Sequence, residues 1–171
     1  MIVNCSRPTR HSALFADECI LMARFLTGMV FCPRQRHMSD THLRATILIV
    51  DDNEQNCLVL HLLLTDAGFE NLIIARNGQE ALAEVARQVP DLILLDVMMP
   101  VLNGYEATQQ IRANYPDQYI PIILLSALED PQERMKGIQV GANDFVSKPF
   151  DKGELLARID SVLERKRILD E

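Results

Sequence analysis

From residue 45 onward, short apolar runs alternate with longer stretches in which apolar and polar positions recur at helical spacing. "TILIV" (46–50), "NLIIA" (71–75), "DLILL" (91–95), "PIILLS" (121–126) and "DFVS" (144–147) have the length and residue types of strands. Between them, 54–69, 77–89, 104–114, 131–140 and 151–168 carry the periodicity of helices. Gly68 is expected to stop the first helix, and Asn77 to cap the second. Runs that are apolar throughout, rather than alternating, suit strands buried on both faces. Five of them joined by helices predict an α/β fold: a doubly wound, five-stranded parallel sheet of the flavodoxin-like (βα)5 kind, with helices on both faces.

Composition narrows the function classes. Residues 1–44 carry six Arg against three acids, a net of +3, whereas 45–171 carry eleven Lys and Arg against twenty-one acids, a net of −10. An acidic main domain offers no electrostatic footing for nucleic acid and suits a basic protein partner or a bound cation. Cys5, Cys19, Cys32 and Cys57 show no zinc-ligand spacing and read as free thiols of a reducing compartment. The apolar stretch 13–31 contains Asp17, Glu18 and Arg24, which argue against a membrane span and against a signal peptide. A cytoplasmic location is therefore expected.

In doubly wound sheets, ligands bind beyond the carboxyl ends of the strands. The residues there are Asp51 and Asp52 after the first strand, Asp96 after the third, Ser126 after the fourth and Lys148 after the fifth. If strands one, three, four and five are neighbours, these groups converge. Carboxylates ~4–5 Å apart repel by about 3–4 kcal/mol per pair at an effective dielectric near 20. A divalent cation and one ammonium would balance the charge of all three. A hard, oxygen-ligated ion such as Mg²⁺ (or Mn²⁺) fits; zinc does not, since no His or Cys occupies a strand tip. Such a pocket can transfer a phosphoryl group onto a carboxylate. Asp96 stands alone on the central strand and is the candidate nucleophile; adjacent Asp51 and Asp52 are better placed as metal ligands.

"ILIVDDNE", "DLILLDVMMPVLNG", "IILLSA" and "GANDFVSKPF" together resemble the receiver domains of two-component response regulators, over about residues 45–167. The resemblance implies that Asp96 is the phospho-acceptor, Asp52 a direct Mg²⁺ ligand, Asp51 its largely water-mediated neighbour and the Met98 backbone carbonyl a third protein ligand. It also implies Ser126 as the switch hydroxyl, Phe145 as the switch aromatic, Lys148 as the phosphate-neutralising lysine and a cis bond before Pro149. Ser replaces the commoner Thr, and Phe the commoner Tyr, so a contact needing a phenol at 145 is not expected. Met98 and Met99 are expected at the pocket rim, Met99 also suiting an ordinary core role, and Asn103-Gly104 at a turn.

The implied function is acceptance of a phosphoryl group from a histidine kinase or histidine phosphotransfer protein, switching a partner-binding face built from 130–147 and the last helix. The chain would be a phospho-acceptor that assists its own phosphorylation, not a turnover enzyme, and a monomer or phosphorylation-dependent dimer acting on a downstream protein. On the first helix, Val59, Leu60, Leu63, Leu64 and Ala67 are expected to face the sheet, leaving Leu58 and Leu62 exposed as candidates for partner docking.

Residues 1–44 are expected to be an N-terminal extension, with Phe15, Cys19, Met22, Leu26 and Met29 on one stripe of an amphipathic helix, or the product of an over-extended start site ahead of Met38. Residues 168–171 form the C-terminal end, and a receiver fragment of a larger regulator is the alternative reading. A haloacid dehalogenase-type phosphatase would need an Asp where Met98 stands, and a nucleotide-binding domain would need a glycine-rich turn after the first strand. A receiver that signals without phosphate would not need every reactive position filled.

Overall fold

The computed structural model describes residues 40–127 and 130–171; the expected amphipathic helix at 13–31 lies outside them. A single helical turn, Asp40–Leu43, leads into β1 (Thr46–Val50). There follow α1 (Glu54–Asp66), β2 (Asn71–Ala75), α2 (Gly78–Arg87), β3 (Leu92–Asp96) and α3 (Gly104–Asn114). The series closes with β4 (Ile122–Ser126), α4 (Pro131–Gln139), β5 (Asp144–Ser147) and α5 (Lys152–Asp170). All strands are parallel, in the order β2-β1-β3-β4-β5. The strands one, three, four and five are thus neighbours, as convergence of their tips requires.

Alternate residues of each strand feed two cores. Ile47, Ile49, Leu92, Leu94, Ile123, Leu125 and Val146 pack with α1 and α5, which cover one face. Leu48, Val50, Ile93, Leu95, Ile122 and Leu124 pack with Ala81 and Val85 of α2 and Tyr105 and Ile111 of α3 on the other. β3 and β4 are buried along their whole length. β2 departs from the expectation of burial on both faces: it is an edge strand, and Ile74 is 40% exposed. An apolar run cannot by itself distinguish edge from centre.

The helix ends follow from their capping residues. Asn53, Asn77, Asn103, Asp130 and Asp151 each accept a backbone N–H in the first turn of the helix that follows. Asn103 and Glu106 complete a reciprocal capping box at α3. α1 ends at Asp66, three residues short of the expected boundary, with Gly68 at φ 100 just beyond.

The inward stripe of α1 also differs from expectation. Cys57, Leu60 and Leu64 are buried, whereas Val59 is 55% exposed. Cys57 donates its thiol hydrogen to the Asp51 carbonyl at 3.2 Å, and seating that small side chain inward rotates Val59 away from the sheet. Leu58 and Leu62 are exposed, as expected.

The helical turn before β1 and the whole of α5 belong to one compact unit with the sheet. His42 is buried against α5, with Nδ1 2.8 Å from Asp160 and Nε2 3.2 Å from Glu164.

Candidate functional site

β1 delivers Asp51 and Asp52, β3 delivers Asp96, and the turn after β5 delivers Lys148 to one end of the sheet. One oxygen from each of the three carboxylates lies within 4.8 Å of the others. Asp51 is fully buried, Asp96 nearly so, and Asp52 faces solvent. The Lys148 ammonium lies 2.7 Å from Asp51 Oδ2 and 3.1 Å from Asp96 Oδ1.

Asp51 is tied down by more than that lysine. Its Oδ1 accepts the Asn53 backbone N–H at 2.9 Å, and the side-chain amide of Asn56 donates to both oxygens at 3.1 Å. These donors hold a fully buried carboxylate that would otherwise be costly. Neither asparagine stands out in the sequence, because a polar residue in the first turn of a helix usually faces water.

Burial pushes the Asp96 carboxyl above its ordinary range; Lys148 opposes the shift and Asp51 adds to it. For Lys148, burial favours the neutral amine, but hydrogen bonds and charge from Asp51 and Asp96 outweigh it and raise the ammonium. Three carboxylates and one ammonium leave the pocket with more negative formal charge than Lys148 neutralises. An all-oxygen donor set at this spacing fits a hard divalent ion, and the residues that could hold it are Asp51, Asp52 and Asp96.

The loop after β3 holds the nucleophile candidate in place. Gly104 donates its N–H to the Val97 carbonyl at 3.0 Å. A β-carbon at 104 would collide with the Asp96 carbonyl oxygen, so only glycine allows α3 to start this close to the strand tip. Val101 has φ 70 in a tight turn closed by the Leu102 N–H on the Pro100 carbonyl at 2.8 Å. Met98 is 63% exposed at the rim, and its backbone hydrogen-bonds Asp96. Met99 belongs to the core instead, 9% exposed among the side chains under α2 and α3.

Ser126 is buried at the tip of β4, and its carbonyl accepts the Lys148 N–H at 2.6 Å. The Lys148-Pro149 bond is cis. Phe145 is 5% exposed within the core. It packs beneath α4, where a β-carbon at Gly137 would meet Leu124, Phe145 and Tyr105. Beside the acidic pocket, Asn56, Val59, Leu60, Lys148, Pro149 and Phe150 enclose a cleft of about 390 Å³. The exposed Leu58 and Leu62 belong to the same helix as its α1 wall.

Residues 47–160 match the family model of the response regulator receiver domain. The chain is 40% identical over 129 residues to the response regulator PleD of Caulobacter vibrioides, covering 75% of this chain and 28% of that protein. It is 45% identical over 119 residues to the probable transcriptional regulator ycf27 of Pyropia yezoensis, covering 70% of this chain and 47% of that protein. It thus spans about half or less of these relatives' length. Among solved structures, a putative response regulator from Chloroflexus aurantiacus aligns with a TM-score of 0.67 at 34% identity, covering 71% of this chain and 98% of that one. The receiver domain of the sensor histidine kinase PA1611 from Pseudomonas aeruginosa, which has a magnesium ion coordinated in its active-site cleft, aligns with a TM-score of 0.65 at 35% identity over the same shares.

Proposed function

The chain belongs to the response regulator receiver family, and from that premise we propose that Asp96 accepts a phosphoryl group from a phosphohistidine on a histidine kinase or histidine phosphotransfer protein. The observation that carries this reading is the placement of one ammonium between Asp51 and Asp96, with Asp52 alongside. An Asp96 oxygen bonds to phosphorus while the phosphorus–nitrogen bond of the donor breaks, its electron pair returning to the imidazole. Lys148 stays within reach of Asp96 and offsets charge on the phosphoryl oxygens.

Asp51, Asp52, Asp96 and the Met98 backbone carbonyl would hold the cation. Magnesium, when bound, supplies the further positive charge that lets a phosphoryl group approach three carboxylates. Ser126, at the neighbouring strand tip, turns its hydroxyl toward the added phosphoryl oxygens. Phe145, already inward, then biases the face formed by α4, β5 and α5 toward one of two states. The protein acts as a signalling phospho-acceptor in the cytoplasm rather than as a turnover enzyme.

The test is labelling by a small phosphodonor with and without Mg²⁺. Wild type should be labelled only with the cation, and Asp96→Asn not at all; labelling of that variant would remove Asp96 from the role. A second reading, the regulatory portion of a longer regulator, is favoured by the 28% and 47% of PleD and ycf27 that the chain spans. Sequencing the surrounding gene for an in-frame output region separates the two.

A further inference from the structure

Asp51 has its side-chain donors on two sides: Lys148 on Oδ2, and the single amide nitrogen of Asn56 on both Oδ1 and Oδ2. Of these donors only Lys148 is shared with Asp96, at 3.1 Å. The arrangement poses a problem for the reaction proposed above. When a phosphoryl group joins Asp96, its oxygens draw on the same ammonium that satisfies the buried Asp51. A fully buried carboxylate that loses a charged donor is left strongly destabilised unless another donor covers it.

We infer that Asn56 is a positioning residue for phosphoryl transfer: its amide covers both Asp51 oxygens, so that Lys148 can turn toward the phosphoryl group without leaving Asp51 bare. The inference rests on the phospho-acceptor reading of Asp96. The geometry suits the role, since the amide already reaches the oxygen that Lys148 uses. Asn56 is fixed in the first turn of α1, and its charge does not change through the reaction. It also forms part of the wall of the cleft beside Lys148, and so occupies the boundary between that cleft and the acidic pocket.

Two measurements on the full chain test this. The first is urea unfolding, without divalent cations, of wild type, Asn56→Leu, Lys148→Met and the double variant. If the two side chains back each other up on Asp51, Asn56→Leu should lower the folding equilibrium constant about tenfold more in the Lys148→Met background than in wild type. Equal effects in both backgrounds overturn the sharing. The second is the rate of Mg²⁺-dependent labelling by a small phosphodonor. Asn56→Leu should be about fivefold slower, and Asn56→Asp, which keeps the shape but replaces the donor with a second carboxylate beside Asp51, at least as slow. Labelling of either variant at the wild-type rate overturns the positioning role. Failure of the wild type itself to be labelled would instead overturn the phospho-acceptor reading, while the unfolding cycle would still decide whether Asp51 is shared.

Discussion

Lys148 reaches across β4 from the turn after β5 to bridge Asp51 and Asp96, at 2.7 Å and 3.1 Å. The bridge makes the tips of β1, β3 and β5 into one electrostatic unit, although they are 97 residues apart in sequence at the extremes. The consequences can be measured variant by variant.

Asp96→Asn should stabilise the cation-free protein at neutral pH. Burial raises the Asp96 carboxyl in the folded state, so folding favours its protonated form. Below the ordinary carboxylate range the group is protonated whether folded or unfolded, and the substitution should be nearly neutral. As pH rises through that range to the raised folded value, the native state comes to carry an ionised carboxylate it disfavours, and the advantage of Asn grows to its full size. Urea midpoints across pH 3–8 check the sign; a variant less stable than wild type at neutral pH contradicts it.

Leu58→Lys with Leu62→Lys should slow transfer from a phosphorylated donor protein roughly tenfold while leaving small-molecule labelling within about twofold. Both leucines are 58% exposed, so their loss removes no core contact. Parallel losses in the two assays would show that the helix, not a docking face, had been damaged.

Gly104→Ala should cost about 2 kcal/mol or more and depress labelling of Asp96 beyond what partial unfolding explains. The added methyl must push against the backbone carbonyl of Asp96, which cannot rotate aside as a flexible side chain would. Chemical denaturation together with labelling rates under fully folded conditions separates the two effects.

Val101→Gly should raise stability by roughly 0.5–1 kcal/mol. A β-branched side chain at φ 70 is strained, it is 79% exposed, and it contributes little packing. The relief, about 1–2 kcal/mol, exceeds the extra chain entropy of glycine. Thermal or urea unfolding reads the change directly.

Much of the fold was legible because uninterrupted apolar runs leave few choices. "LILL" followed by Asp96 and flanked by turn residues reads as a strand opening onto polar surroundings, and the asparagine and aspartate caps mark where helices begin. The pocket was legible for the same reason: topology assigns each strand's last residue to one end. Asn56 escaped because its role depends on the rotation of α1, which Cys57 sets. The exposure of Val59 has the same origin, since five leucines and a valine permit more than one inward stripe. Edge exposure at Ile74 and the inward seat of Phe145 depend on neighbours far along the chain.

His42 bears on where this domain can be trimmed. Two acids of α5, one turn apart, flank its ring. A shortened protein beginning at residue 38 would keep the imidazole between them, while one beginning at residue 45 would leave Asp160 and Glu164 without its ring nitrogens. The seven residues that separate those two cut points, 38–44, thus decide whether an excised domain keeps this contact with α5.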